Sequence, residues 1–301
     1  MRFSLAETMC DPAHYAPLAK AAEGAGFHAY TLPDSIAYPE VSESKYPYTP
    51  DGDRGFLEDK PFLDPFSLVP FLAAQTTTLC FHTFVVKLPI RHPVLVAKQA
   101  SSVAVLSGDR FRLGVGLSPW PEDYALVGVP WQGRGKRMDE MLAILRGLTR
   151  PEGGFFHFEG EHFQVPSIKM CPTPGRPIPL LLGGHSEQAL RRAARLGDGW
   201  MHAGGSHEDL ARLVRRLGEL LREEGRSEAP FEIHAASQEA YTLDGLRHLS
   251  DLGVTDVIVG FRDAYMRGPD TMPLEKKLAA LRKYGERIIS RLAPDGALPS
   301  S

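Results

Sequence analysis

The stretch Pro177–Trp200, PIPLLLGGHSEQALRRAARLGDGW, decides how the rest of the chain is read. Pro179 to Leu182 is a short apolar run of the kind that forms a buried strand. Gly183 and Gly184 follow, permitting positive φ and close backbone approach, and Ser186 stands where a helix N-cap belongs. Ala189, Leu190, Ala193 and Ala194 then repeat on one helical face, and Gly197 supplies the stop. A strand, a glycine turn and a helix whose first turn faces that turn read as an anion site, because the free N–H groups, the helix dipole and the Ser186 hydroxyl all favour a phosphoryl group, or else as an α/β turn whose glycines serve packing alone.

Working outward, the same strand-then-helix alternation runs from end to end. Before the quoted stretch the pattern predicts Arg2–Ala6, helix Tyr15–Ala25, Phe27–Leu32, helix Pro65–Ala74, Leu79–Val85, helix Pro93–Leu106, Phe111–Val115 and helix Arg134–Leu148. After it come Gly199–Ala203, helix His207–Glu224, Phe231–Ala235, helix Leu243–Leu252, Asp256–Gly260 and helix Leu274–Leu292. Eight βα units in 301 residues, with no composition break, predict one (β/α)₈ TIM barrel domain over residues 1–301.

Two connections are long. Pro33 to Asp64, after the second strand, is rich in Pro, Tyr and Phe and predicts a packed lid or binding loop. Gly153 to Pro172, before the fifth strand, has alternating runs around Glu159-Gly160-Glu161 and predicts a β-hairpin capping one end of the barrel.

Composition narrows the function. A net charge of −3 spread along the chain excludes a nucleic-acid footprint and a polybasic membrane patch. No leader and no spanning apolar run is visible, which leads to a cytoplasmic expectation. The three cysteines are widely separated, without a CxxC pair, so neither a disulfide framework nor a zinc knuckle is expected. His157, Glu159, Glu161 and His162 cluster in sequence, but the last two diverge across the expected turn, and no metal is expected. GxSxG and Walker sequences are missing, and Gly114-Val115-Gly116 is too short for a dinucleotide fingerprint.

The strand ends carry the remaining candidates, since barrel sites are built there. Asp34 follows the second strand and reads either as a ligand contact or as a turn cap. Thr83 and Lys87 interrupt the apolar third strand, and Lys87 reads either as the partner of an anionic group or as a solvated charge at the strand mouth. After the fourth strand, Gly116 and Ser118 allow close approach of a planar ligand, and Trp120 reads as a ring packed on it or as core.

With these residues in hand, the chain resembles the bacterial-luciferase-like monooxygenase superfamily, in its coenzyme F420-dependent oxidoreductase branch. The resemblance runs almost end to end. It is carried by Arg91-His92-Pro93 with Ala97-Lys98, by Leu106 to Gly116, by Arg134 with Arg137-Met138-Asp139-Glu140, and by Gly183-Gly184-His185-Ser186 through Trp200; Tyr46-Pro47-Tyr48-Thr49 adds a weaker match. The resemblance implies a flavin or deazaflavin at the carboxyl ends of the strands. Asp34 would contact the ring system, Thr83, Phe84 and Val85 would form a bulge behind it, often with a non-proline cis peptide, and Ser118 would approach it. Gly183, Gly184, His185 and Ser186 would hold the phosphate. Tyr38, Lys87 and Trp120 are the expected substrate contacts. The acid–base pair of the superfamily's sugar-phosphate dehydrogenases does not carry over, because Ser35 and Pro119 stand at those positions. Tyr38, His82 and Glu122 are then candidates for a proton role, and no catalytic residue is assigned.

The expectation is hydride transfer between coenzyme F420 and a small organic substrate. Its alternatives are an FMN-dependent monooxygenase and a non-catalytic flavin-binding barrel. The resemblance also implies a homodimer.

Overall fold

A computed structural model describes residues 1–46, 49 and 51–292 of the chain. Pro47 and Tyr48, part of the weaker motif, lie outside the described residues. The strands are β1 (Arg2–Leu5), β2 (Ala29–Leu32), β3 (Cys80–Thr83), β4 (Val86–Lys87), β5 (Phe111–Gly116), β6 (Phe155–Glu159), β7 (Gln164–Lys169), β8 (Leu180–Gly183), β9 (Gly199–His202), β10 (Glu232–Ala236) and β11 (Asp256–Val259). The helices are α1 (Tyr15–Gly24), α2 (Pro65–Ala73), α3 (Pro93–Leu106), α4 (Pro121–Leu126), α5 (Arg134–Leu148), α6 (Glu187–Leu196), α7 (His207–Glu223), α8 (Leu243–Asp251) and α9 (Leu274–Arg287).

Eight strands are parallel and pair in the ring β3-β2-β1-β11-β10-β9-β8-β5, which a β3–β5 pairing closes. This is the (β/α)₈ barrel that the alternation predicts, with boundaries shifted by a residue or two at most elements. The third strand departs from the prediction. Instead of running through Val85 it stops at Thr83, the Phe84–Val85 peptide is cis, and β4 continues the path beside β5. α4 was not anticipated, and α9 ends at Arg287, where a 3₁₀ turn takes over.

The main core lies between the outer faces of the strands and the helices. α6 shows how local sequence sets this layer. Its Ser186 cap accepts from the Ala189 N–H, and Leu190, Ala193 and Ala194 are buried against the barrel. Gly197 ends α6 in extended conformation rather than with positive φ. A side chain there would meet the Ala193 carbonyl and Leu182, each at 2.9 Å, so glycine serves close packing.

Inside the barrel, Leu181, Met201 and Ile258 form a small apolar layer beneath the carboxyl rim, against Phe84 and Val85. Below it the interior is polar. Arg2 reaches Asp256 at 2.6 Å and Glu232 at 3.1 Å, and Arg112 reaches Glu232 at 3.2 Å.

The hairpin β6–β7 is antiparallel, as expected, but it lies along the flank of α5 rather than over a barrel end. The Glu140 carboxylate accepts the N–H groups of Glu161, His162 and Phe163, which ties the hairpin tip to the helix side. Among the described residues no helix is long and apolar enough to cross a membrane.

Candidate active site at the carboxyl rim

Two cavities share the rim. The narrower, about 450 Å³, is bounded in turn by the ends of β2, β3, β5 and β8 and by the lid between β2 and α2. The wider, about 1150 Å³, lies over β9, β10 and β11. They meet at Ala6, Phe84, Ala203, Ala264 and Tyr265.

The narrow cavity has a wall of nearly bare backbone. Val85, after the cis peptide, faces Gly116, where a Cβ would stand 2.8 Å from the Val85 side chain. Gly184 has φ +118°, and a Cβ there would lie 2.8 Å from that of Ala189, so a larger residue would crowd the mouth of α6. Ser186 caps α6, and the Gly184 carbonyl accepts the Trp200 indole N–H at 2.9 Å, which fixes the turn from behind. Arg134 and Arg192 line the cavity beside it, Arg192 steered by Asp139 at 2.5 Å. The opposite end is held by ion pairs. The Asp34 carboxylate accepts the Lys87 N–H at 2.9 Å and Arg91 at 2.8 Å, while the Lys87 ammonium lies 2.7 Å from Asp123.

Aromatic side chains roof the cavity. Tyr46 stacks on Trp120 with centroids 5.8 Å apart, and Phe56 packs against Tyr46 and Tyr265. The Arg54 guanidinium sits 4.2 Å from the Trp120 ring and 5.3 Å from that of Tyr38. Ser42 and Ser44 bind Glu122, and Asp53 pairs with Arg267 at 2.8 Å, so the long connection is packed down at several points.

Nine of the expected residues line the narrow cavity: Asp34, Phe84, Val85, Lys87, Ser118, Trp120, Gly183, Gly184 and Ser186. Three do not. Thr83 is fully buried, its hydroxyl given to the Gly114 carbonyl at 2.6 Å, so it braces β3 against β5 instead of facing a ligand. Tyr38 lines neither cavity, because its ring lies under Arg54 in the lid. His185 lines the wider cavity. The chain turns at Gly184, and the His185 imidazole stacks on His202 with centroids 4.6 Å apart, accepting the Ala203 N–H at 3.3 Å. Burial pulls both imidazoles below the ordinary histidine range, His202 to about 4.

The proton candidates fare similarly. His82 is fully buried inside the barrel, and Glu122 is taken by the lid serines. Ser118 faces the cavity but donates to Asp123 at 2.5 Å and accepts the Trp120 N–H, so it is a structural cap as well. Sequence reasoning did not assign Arg54, Arg91 or Asp123 to the site. Only the fold brings these charges to the rim, although Arg91 opens the Arg91-His92-Pro93 motif, Asp123 follows Glu122, and Arg54 lies within the long connection Pro33 to Asp64.

Two groups of described residues bring three metal-type ligands together: Cys10, His14 and Asp270, and Glu232, His234 and Asp256. The hairpin histidines are in neither. Each group already contains a basic side chain, Lys277 bonded to Asp270 and His14, and Arg2 bonded to Asp256 and Glu232.

A closed (β/α)₈ barrel with a glycine-walled cavity leading to a capped helix N-terminus offers, at its carboxyl rim, backbone that a ligand can approach closely and N–H groups that can receive an anion. The chain belongs to the luciferase-like monooxygenase family, whose model matches residues 4–284. An uncharacterised protein of Mycobacterium tuberculosis, Rv0940c, is 56% identical over 292 residues, spanning 97% of this chain and all of its own length. Among solved structures, monooxygenase RslO1 from Streptomyces bottropensis superposes with a TM-score of 0.73 at 17% identity, covering 96% of this chain and 99% of that one. The coenzyme F420-dependent tetrahydromethanopterin reductase of Methanopyrus kandleri gives 0.72 at 15% identity, with 96% and 98% covered. At such identities the two structures share the fold.

Proposed function

We propose that this protein is an oxidoreductase that holds coenzyme F420 in the narrow cavity and exchanges a hydride with an organic substrate in the wider one. The observation that carries this reading is the continuous path from the bare wall of Val85 and Gly116 to the N-terminus of α6. The α6 N–H groups, Ser186, Arg134 and Arg192 would hold a phosphate, and Val85 and Gly116 would lie against the ring. The deazaflavin, when bound, supplies the hydride carrier. Tyr46, Phe56, Trp120 and Tyr265 would exclude water from above. Phe84 and the small side chains of Ala6, Ala203 and Ala264 would let substrate and ring meet where the cavities join.

F420 is favoured by the cations that line the phosphate end, Arg134 and Arg192, which suit an acidic tail. FMN is the second reading. It is favoured by the acid partner that Arg192 already has in Asp139, since a ligand without a tail needs no other charge there.

Paired titrations of F420 and FMN, followed by anaerobic single turnover with reduced cofactor and a panel of carbonyl and unsaturated acceptors, test the proposal. F420 should bind more tightly and turn over without oxygen. Oxygen-dependent turnover with ¹⁸O₂ label in the product would replace this reading with the FMN monooxygenase, and binding without turnover would favour a storage barrel. A homodimer belongs to the same proposal and is read by sedimentation.

A further inference from the structure

Lys87 differs from the other cations of the narrow cavity. Arg134 and Arg192 flank the start of α6, whereas Lys87 enters beside the Phe84–Val85 bulge. β5 separates the β3 side of the rim from β8, and neighbouring strands lie about 4.8 Å apart, so the two ends are on the order of 10 Å from each other. A ligand with its phosphate at Ser186 therefore carries its ring system toward Lys87.

The lysine is held from both sides. Its backbone N–H binds Asp34, itself paired with Arg91, and its ammonium binds Asp123, which also accepts from Ser118. Only 8% of the residue is exposed, on the cavity side. An ammonium has three donors, and Asp123 takes one, with Ser35 a long second at 3.5 Å.

We propose that Lys87, steered by Asp123, is the charge partner of the redox ring and stabilises its reduced form. The proposal rests on the narrow cavity being the cofactor site. A hydride brings two electrons and one proton, so its transfer from a reduced organic donor leaves the donor oxidised by two electrons and adds one negative charge to the acceptor. A buried ammonium at the ring end offsets that charge, because its field is little screened there. The Asp123 carboxylate moderates the effect.

The test uses the protein loaded with FMN and, separately, with F420, titrated anaerobically with each cofactor in its oxidised and reduced forms. Lys87→Met should weaken the reduced form about tenfold more than the oxidised form, lowering the two-electron midpoint potential by about 30 mV. Lys87→Arg should retain most of the wild-type potential. Asp123→Asn, which leaves the ammonium unneutralised, should move the potential the opposite way. Equal losses from both redox forms in Lys87→Met, or a lowered potential in Asp123→Asn, would overturn the assignment while leaving the cofactor reading intact. A wild-type protein that binds neither cofactor overturns both.

Discussion

At Gly184 a single hydrogen atom in place of a side chain keeps the mouth of α6 open. Gly184→Val forces a branched residue into φ +118° and against Ala189, a folding cost of about 1–3 kcal/mol. Cofactor affinity should fall further, a hundredfold or more, about 3 kcal/mol. Fluorescence titration beside denaturant unfolding separates the two effects, and unchanged affinity would place the phosphate elsewhere. Ser186→Ala removes one cap acceptor and should cost about 1 kcal/mol in stability, with a comparable loss in cofactor binding. Reversing Arg192 to Glu removes a cation from the cavity and sets a carboxylate beside Asp139, which keeps only Arg195, so F420 binding should weaken more than FMN binding and lose part of its salt dependence. Equal loss for both ligands would argue against any role in holding an acidic tail.

Among the elements, the lid between β2 and α2 depends most on one side chain. Arg54 is buried between Trp120 and Tyr38 and donates to Ser42 at 2.6 Å. A desolvated cation–π contact of this kind is worth about 2 kcal/mol. Arg54→Met should therefore open residues 33–64 to limited proteolysis and speed cofactor release several-fold, with little change in the melting of the barrel; protection equal to wild type would mean that other contacts hold the lid. Much of this architecture was legible in sequence, because α6 spaces Ala189, Leu190, Ala193 and Ala194 at helical intervals and the strands are short apolar runs. The direction of the side chains was less so. Gly184 and His185 are adjacent yet serve different cavities, since the positive φ between them redirects the chain and leaves no periodic trace. Lys87 and Asp123 meet only because β4, which carries Lys87, pairs with the end of β5, which leads into α4, and a charged Arg54 in a loop reads as solvated until the aromatics around it are placed.

For the molecule as a whole, acid is the expected weakness. Burial is the main cause that brings His28 down to about 4, and likewise His202, below the ordinary value near 6.5. Their folded forms are neutral, so the unfolded chain binds more protons between those values, and stability present above about pH 6.5 is lost as pH falls toward 4. Glu232 acts lower. Burial alone raises its carboxyl, but the His234 hydrogen bond and the Arg112 and Arg2 charges bring it to about 2, so its contribution persists above about pH 4.5 and fades toward pH 2. Denaturant midpoints measured at pH 7.5, 6 and 4.5 should fall steadily, and His28→Gln should flatten the upper part of that slope; a pH-independent midpoint would contradict the assignment.

The ring closure has a consequence for how the protein is made. β1 pairs on one side with β11, Arg2 opposite Asp256, so β1 keeps an open edge until a strand 254 residues further on has been synthesised. Unpaired strand edges invite pairing with other chains, and contacts this distant in sequence form late. A nascent chain stalled before Asp256 can assemble the strands that would hold the cofactor but not seal them into a barrel, and it is at that stage that chaperone protection matters most.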